Sequence, residues 1–481
     1  MRAGRGSGVV LIYTAAPAVS PQVEAALIAA GVSTISLVCT VIVAIVSLRT
    51  TRKLTDKSIG AQREQMEKTL AEQRLRTLNE RFSTAADKLG SDKPSAVRLA
   101  GVHAMAGLAD DWTENRQTCI DVLCAYLRLP YPAPDEDAAP KHRAAFRANR
   151  EVRHTIIRLI SSHLRPDATV SWEGLNLDFT GVVFDGGDFT RVRFSSGIVL
   201  FYGAEFSGGE IDFYDAEFSG GQVDFRGAKF SGGEVSFIRA QFSGGRVDFR
   251  GAEFSGGHVR FGAQFSGGEV DFRSANFSGA EINLGGAHFS GASVTFNRAV
   301  FSGSWVSFTP VRFSSGRADF SGAEFSGGHV DFSGSVFSGG QVSFGYAQFS
   351  GGGVGFGSIF SGGQVYFVNA QFSGGPVGFN NAQFSNGQVD FHGAHFSGGQ
   401  VSFFEAKFSG GQVDFRGAEF SGGQVEFRDA DFCGTEIDFR DAEFSGGQVD
   451  FGYPRSWSRP PEFDWKTPPG GVILPGNADT K

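Results

Sequence analysis

The hydrophobic positions of this chain form a short repeat that runs over residues 177–453. Each five-residue group has Phe at its centre, a small apolar residue two positions earlier, and usually a polar residue between them. Side chains two apart in an extended chain point to the same side. Val223 and Phe225 are therefore expected to face a core, whereas Asp224 and Lys229 are expected to face water.

The spacing of the Phe residues predicts the cross-section. Five-residue steps run from Phe179 to Phe194, and from Phe201 steps of five and seven alternate, so that the unit becomes twelve residues. Glycine at or after the end of most groups suits a tight corner, where a positive φ is inexpensive only without a Cβ. Two units per coil would direct four Phe inward and give a rod of roughly 55 Å at a coil spacing of about 4.8 Å. One flattened unit per coil would give roughly 105 Å, but its thin core would be overpacked.

Three departures interrupt the period. The units Phe261–Phe265 and Phe356–Phe360 lack one residue each, and Leu284 replaces one Phe. We expect local irregularities there and no domain boundary.

The groups AEFSG at residues 204–208 and ADFCG at residues 430–434 resemble the repeat of the pentapeptide-repeat proteins. That pattern is a small residue, an acidic or amide residue, Leu or Phe, a small polar residue and Gly, and matches recur over more than half of the chain. The resemblance implies a mainly β fold, a right-handed quadrilateral β-helix with four groups per coil. This chain departs from the pattern by two residues inserted after every second group.

The N-terminal part predicts a membrane anchor. Residues 1–24 are interpreted as a flexible leader, and residues 25–48 contain no charge and are long enough to cross a bilayer as a helix. A signal peptide would have a shorter apolar run and a cleavage site of small residues. A buried helix of a soluble protein would normally show a polar face.

Basic residues near the predicted span indicate its orientation. Only Arg2 and Arg5 precede the span, and the basic residues that follow it are Arg49, Arg52, Lys53, Lys57, Arg63 and Lys68. By the positive-inside rule the chain is predicted to be a single-pass protein of the cell membrane with a cytoplasmic repeat domain. The same residues would contact anionic lipid headgroups.

A charged helix, residues 49–82, is expected to follow as a self-association stalk or a solvated spacer. Residues 83–168 predict a small helical domain with three apolar stripes, and this region resembles the one before the repeats in membrane-anchored actinobacterial members of the family. The stripes are Val97, Ala100, Ala104, Met105 and Leu108; Ile120, Leu123, Cys124 and Leu127; and Val152, Ile156, Ile160 and Leu164.

The repeat domain, residues 172–453, ends in a Pro-rich and aromatic segment, residues 454–481. A solenoid needs its open end covered, because exposed strand edges invite pairing with another chain. Trp457, Phe463 and Trp465 are candidates for such a cap, and a disordered tail is the alternative.

No catalytic, cofactor or metal site is predicted. The four cysteines, Cys39, Cys119, Cys124 and Cys433, are too few for a disulfide framework and lack a second metal-ligand pair. The histidines match no metal-binding or nucleophile motif, and the glycines are not followed by the Lys-Ser/Thr of a phosphate loop. Carboxylates recur once per rung of the stack, which predicts solvated rows and no acid–base pair.

Charge supplies the functional hypothesis. Residues 172–453 contain 31 Asp and Glu against 16 Lys and Arg, about −15, while the whole chain carries −8. We predict a non-catalytic membrane-anchored scaffold whose acidic solenoid binds a protein partner and does not bind nucleic acid directly. The alternative, implied by the resemblance, is a DNA mimic that inhibits DNA gyrase. A homodimer, if one forms, would use the solenoid end or the stalk helix.

Overall fold

The computed structural model describes residues 20–476, except residues 91, 93 and 136. Two compact units are present, the first ending at Glu80 and the second beginning at Arg81. Most of the predicted leader, residues 1–19, and the last residues of the tail, 477–481, lie outside the described residues.

A single helix, α1 (Pro21–Leu89), contains both the predicted span and the charged helix that follows it. Its most apolar window of 18 residues has a mean hydropathy of 2.4, long and apolar enough to cross a membrane. Between residues 25 and 48 the large apolar side chains are exposed, from 43% for Ile45 to 69% for Leu37. A continuous exposed apolar patch of this kind is typical of a surface that contacts a protein or a membrane.

The helical region contains α2 (Ser95–Asp111), a short 3₁₀ helix (Thr113–Asn115), α3 (Arg116–Leu127) and α4 (Pro140–Leu164). The second and third apolar stripes are buried as predicted. The first stripe was predicted wrongly in part, because Ala100 and Ala104 are exposed and the buried face of α2 contains Val102, Met105 and Leu108. Gly101 explains the shift, since a Cβ there would lie 2.6 Å from the backbone nitrogen of Leu89.

The solenoid is built from parallel strands that repeat every 24 residues. Lys229 pairs with Glu205 in the preceding coil and with Glu253 in the following one, which confirms the coil of two twelve-residue units. Each coil has four faces, which are numbered 1 to 4 in the order in which the chain forms them. Faces 1 and 4 form one 22-stranded sheet, face 2 a 12-stranded sheet and face 3 a 13-stranded sheet.

The strands are as follows. Face 1 contains Leu177–Asp178, Ile198–Leu200, Gln222–Asp224, Arg246–Asp248, Glu269–Asp271, Gln341–Ser343, Gln364–Tyr366, Gln388–Asp390, Gln412–Asp414 and Glu436–Asp438. Face 2 contains Val183–Phe184, Glu205–Phe206, Lys229–Phe230, Glu253–Phe254, Asn276–Phe277, Val300–Phe301, Glu324–Phe325, Gln348–Phe349, Gln371–Phe372, His395–Phe396, Glu419–Phe420 and Glu443–Phe444. Face 3 contains Gly187–Asp188, Glu210–Asp212, Glu234–Ser236, His258–Arg260, Glu281–Asn283, Trp305–Ser307, His329–Asp331, Gly353–Gly355, Val377–Gly378, Gln400–Ser402, Gln424–Glu426, Gln448–Asp450 and Val472–Ile473. Face 4 contains Arg193–Phe194, Glu217–Phe218, Gln241–Phe242, Gln264–Phe265, Val336–Phe337, Ile359–Phe360, Gln383–Phe384, Lys407–Phe408, Asp431–Phe432 and Ser456–Trp457, and the long strands His288–Thr295 and Arg312–Asp319 run from face 4 into face 1.

Four columns of Phe rings fill the core, one column behind each face. Within a column the rings stack, as Phe225 does on Phe249 with centroids 4.6 Å apart and planes 5° apart. Between the columns of faces 1 and 3 the rings meet edge to face, as Phe225 meets Phe237 at 6.3 Å and 83°. Both arrangements are favourable for aromatic rings, so the core gains from contacts along the rod and across it.

The corners are of two kinds. A wide corner, such as Ser243–Gly245, follows face 2 or face 4 and contains the inserted residues, whereas a narrow corner, such as Arg250–Gly251, follows face 1 or face 3. Narrow corners need a positive φ, which Gly251 adopts at 63° and Ser274 at 56°.

Both ends of the solenoid are covered. Helix α3 contacts the first strand of face 1, and α4 contacts the first strand of face 3. At the other end the tail supplies the next member of three Phe columns, because Phe463 stacks on Phe439 and Trp457 and Trp465 meet Phe432 and Phe444 edge to face. Of the two alternatives for the tail, the structure therefore has the cap.

Candidate interaction surface

The outward positions of face 1 carry a row of aspartates that contradicts one sequence expectation. Asp224 was expected to face water, but its side chain is only 1% exposed. Arg226, two residues later, lies over it and donates from Nε and Nη2 to both carboxylate oxygens at 2.6–3.0 Å. The aspartate is thus covered by a guanidinium and by the coils on either side of it.

The same Asp-x-Arg arrangement recurs in five coils. The pairs are Asp224–Arg226, Asp248–Arg250, Asp271–Arg273, Asp414–Arg416 and Asp438–Arg440. Successive pairs are linked, since Arg250 Nε also lies 3.6 Å from the Asp271 carboxylate. Much of the acidic charge of face 1 is therefore neutralised in place.

The effect of the arginine on the aspartate appears in their ionisation. Hydrogen bonds from Arg440 lower the pKa of Asp438 despite its burial. Asp390 occupies the same position with His392 in place of arginine, and there burial raises the pKa of the carboxyl group. The arginine accordingly keeps the buried carboxylate ionised.

Charge is absent from the middle of the solenoid. Residues 332–389, the uncharged belt, contain no Asp, Glu, Lys, Arg or His. At about 4.8 Å per coil the belt extends for about 12 Å along the rod. It separates two acidic segments, residues 172–331 at about −7 and residues 390–453 at about −8.

Within the belt, face 3 has a hollow. The outward positions of two successive coils there hold Gly353, Gly355, Pro376 and Gly378. In the other coils between Glu210 and Gln448, the first of these positions holds Glu, Gln, His or Trp. Two coils before the hollow, Trp305 is 58% exposed and its ring lies 5.0 Å from that of His329.

A polar cluster joins the helical region to the first coil. The Asp185 carboxylate accepts hydrogen bonds from Arg150 Nε at 2.8 Å and Tyr131 Oη at 3.0 Å, and lies 2.8 Å from His154 Nε2. Buried Arg153 donates to the carbonyl oxygens of Leu127 and Val183. Each group in this cluster is engaged by its neighbours, so the cluster serves to hold the helices on the solenoid.

The acid dependence of this junction is a testable prediction. Burial would raise the pKa of Asp185, but hydrogen bonds from His154 and Tyr131 lower it to about 2. The ionised form therefore stabilises the fold above about pH 4, the ordinary range of Asp, and this contribution is lost as the pH falls toward 2. We expect D185N to lower stability by roughly 2 kcal/mol near neutral pH and to have little effect near pH 2.

Thermal unfolding measured from pH 7 to pH 2 checks this expectation. D137N, which alters an exposed carboxylate in the loop before α4, is the control and should follow the wild type. A D185N penalty that stays constant over this range would contradict the assignment.

Two cysteines and a further histidine lie in the helical region. Cys119 and Cys124 are buried in α3, and burial raises their pKa values to about 11 and about 12. His163 stacks on Trp172 at 4.0 Å and its Nε2 lies 3.2 Å from Asp110. Among the described residues no group of three or more His, Cys, Asp or Glu side chains has a metal-binding arrangement.

A family model described as pentapeptide repeats (9 copies) matches residues 179–229. No curated protein and no solved structure matches the chain. The matched residues span the first two coils and the start of the third, including the change from five-residue steps to the twelve-residue unit. The similarity thus concerns the repeat and its fold, and a partner has to be inferred from the surface.

Proposed function

Because the chain belongs to the pentapeptide-repeat proteins, whose solenoids generally serve structure or interaction, we propose that it is a membrane-anchored scaffold without catalytic activity. The observation that carries the anchor is the exposure of every large apolar side chain between residues 25 and 48. A lipid bilayer covers such a helix at no cost to its backbone, since all its polar groups are bonded internally.

The orientation follows from the basic residues beyond the span. Six Lys or Arg lie between residues 49 and 68, and two precede the span. The proposal accordingly places the repeat domain in the cytoplasm, at the cell membrane. Anionic headgroups would attract the same basic residues, in a salt-sensitive way.

The scaffold role is supported by the construction of the solenoid. Its core consists of Phe rings that stack along the rod and meet edge to face across it. Its faces present side chains at fixed intervals of about 4.8 Å. Such a surface offers a protein partner a rigid, pre-ordered template, which reduces the entropy lost on binding.

The distribution of charge weighs against the DNA-mimic alternative. Double-stranded DNA carries about one charge per 1.7 Å, roughly 32 over a rod of about 55 Å. The solenoid carries about −15, and the uncharged belt interrupts it. Five of its aspartates are moreover covered by arginine on face 1, so the charges that remain do not form continuous rows.

The experiment that tests the proposal is topology labelling at Cys433. This thiol is exposed, whereas Cys119 and Cys124 are buried and Cys39 lies within the proposed span. We expect a membrane-impermeant maleimide at pH 8.5 to label the protein in inverted vesicles and not in intact cells, because the repeat domain is placed in the cytoplasm.

C433S is the matched control and should remain unlabelled in both preparations. Labelling in intact cells would reverse the orientation and direct the search to partners outside the cytoplasm. Release of the chain from membranes by alkaline carbonate would refute the anchor.

A further inference from the structure

Face 3 has a projection and a hollow at a fixed separation. The first outward positions of successive face 3 strands form an outer column of side chains. Trp305 projects from this column, and the hollow lies two and three coils further along it. A Trp side chain that is 58% exposed on a soluble surface is a candidate contact, since Trp is enriched where proteins bind. The absence of charge across the hollow matches the charge-depleted centre of protein interfaces.

We propose that face 3 is a homodimer interface, in which two solenoids pack antiparallel and Trp305 of each copy fills the hollow of the other. A two-fold axis in the plane of the face, along the strand direction, reverses the coil order but keeps each column opposite itself. One rotation therefore creates both Trp contacts, as an isologous interface requires. The interface differs from the solenoid end and the stalk helix, and it does not depend on the membrane anchor.

The charges along the column agree with this pairing. Before Trp305 the first outward position holds acidic residues at Glu210, Glu234 and Glu281, and after the hollow it holds glutamine at Gln400, Gln424 and Gln448. The two-fold axis sets the acidic half of one copy against the glutamine half of the other. Like charges thus do not oppose each other along this column, as they would in a parallel arrangement.

The neighbouring column adds one attraction and two repulsions. Arg260 of one copy faces Glu426 of the other within half a coil. Asp212 of one copy lies equally close to Asp450 of the other, and Asp331 lies beside its own symmetry mate near the axis. Charge pairs across an interface mainly set register and specificity. Removing the repulsion near the axis with D331N is accordingly expected to strengthen the dimer.

The strands of face 3 supply most of the area that a dimer needs. Eleven strands from Glu210–Asp212 to Gln448–Asp450 take part, which at about 4.8 Å per coil and about 3.3 Å per residue gives roughly 520 Å² per copy. Stable complexes bury about 800 Å² per partner. Side chains that interdigitate at the corners, and Trp305 in the hollow, supply the remaining area.

Disulfide crosslinking of the full chain in detergent tests the proposal. The pair E281C/Q400C, in a C39S/C433S background, has its two thiols five coils apart within one chain, so only a dimer joins them. The antiparallel register brings residue 281 of one copy opposite residue 400 of the other. We expect a covalent dimer on oxidation with copper-phenanthroline.

The pair E269C/Q388C is the matched control. It changes the same residue types at the same separation of five coils, but on face 1, the opposite side of the rod. At least tenfold less covalent dimer is expected for this pair. Equal yields for both pairs, or no dimer from the face 3 pair, would overturn the proposal.

Variants at the projection and the hollow provide a second test. W305Q and the double variant G353Q/P376Q should each weaken the dimer at least tenfold in Kd, because the first removes the side chain and the second fills its site. Both introduce the glutamine that this column carries in other coils, so the fold is expected to persist. Y346Q, at an exposed Tyr on the narrow corner after face 1, is the control. Dimers of unchanged affinity in W305Q would overturn the proposal.

Discussion

Replacing Phe249 by alanine is expected to lower the free energy of unfolding by about 3–5 kcal/mol. The ring is fully buried and stacks on Phe225 and Phe272, both at 4.6 Å. It also meets Phe237 and Phe261 edge to face at 6.2 and 5.8 Å. Alanine would leave a cavity that the neighbouring coils cannot close, because their backbones are tied by hydrogen bonds.

Guanidinium unfolding followed by circular dichroism measures this effect. F249L is the control, and we expect a loss of about 1 kcal/mol, since a leucine fills most of the same volume. The chain itself contains this substitution at Leu284, whose side chain is 3% exposed. A small loss for F249A as well would show that the stacked rings contribute little to stability.

Replacing Gly244 by alanine is expected to cost about 3 kcal/mol or more, although the residue lies at the surface. In this wide corner a Cβ would lie 2.4 Å from the carbonyl oxygen of Ser219 in the preceding coil. That oxygen belongs to the backbone and cannot move without separating the coils. The φ of Gly244 is not in the left-handed region, so the expected effect is purely steric.

G251A provides the complementary variant in a narrow corner. Gly251 has a φ of 63°, and a Cβ there would meet nothing within 4 Å. The expected cost is about 1 kcal/mol, for the left-handed backbone alone. Comparison of the two variants by thermal unfolding separates the effects, and a larger loss for G251A would contradict this account.

The period of the sequence was sufficient to predict the core. Phe at intervals of five and seven, each with a small apolar residue two positions before it, predicted four inward columns and two units per coil. The register of Lys229 with Glu253 confirms this. The prediction succeeded because every group has the same inward residues, a Phe and a small apolar residue. One irregular group therefore does not change the period that is read from all the others.

The surface was less predictable, because its environment depends on the neighbouring coils. Asp224 points outward between the inward side chains of Val223 and Phe225, as the alternation predicts. The side chain of Arg226 nevertheless buries it, and the alternation of inward and outward positions does not predict this contact. The clue was the recurrence of Asp-x-Arg in face 1. Glycine was likewise assigned to corners for its positive φ, whereas Gly244 is required by the approach of the preceding coil.

The hollow and its distance from Trp305 could be recognised only from the strand pairing of the structure. In the sequence, Gly353 and Pro376 are two departures among many, 23 residues apart. The unit Phe356–Phe360 lacks a residue, which shortens this interval from 24 and conceals that the two positions are adjacent. Pairing of the strands Gly353–Gly355 and Val377–Gly378 places them side by side.

The coil of two similar units has a consequence for how this surface changes over time. Successive twelve-residue units are related by a screw operation, half a turn about the rod axis with a rise of about 2.4 Å, half of the coil spacing. Gain or loss of one unit between Trp305 and the hollow would keep every Phe column continuous but move all later surface chemistry to the opposite side of the rod. Gain or loss of two units would only shift it along the axis. Duplication of DNA segments that encode twelve or 24 residues would thus rearrange the outer surface while the core remained as it is.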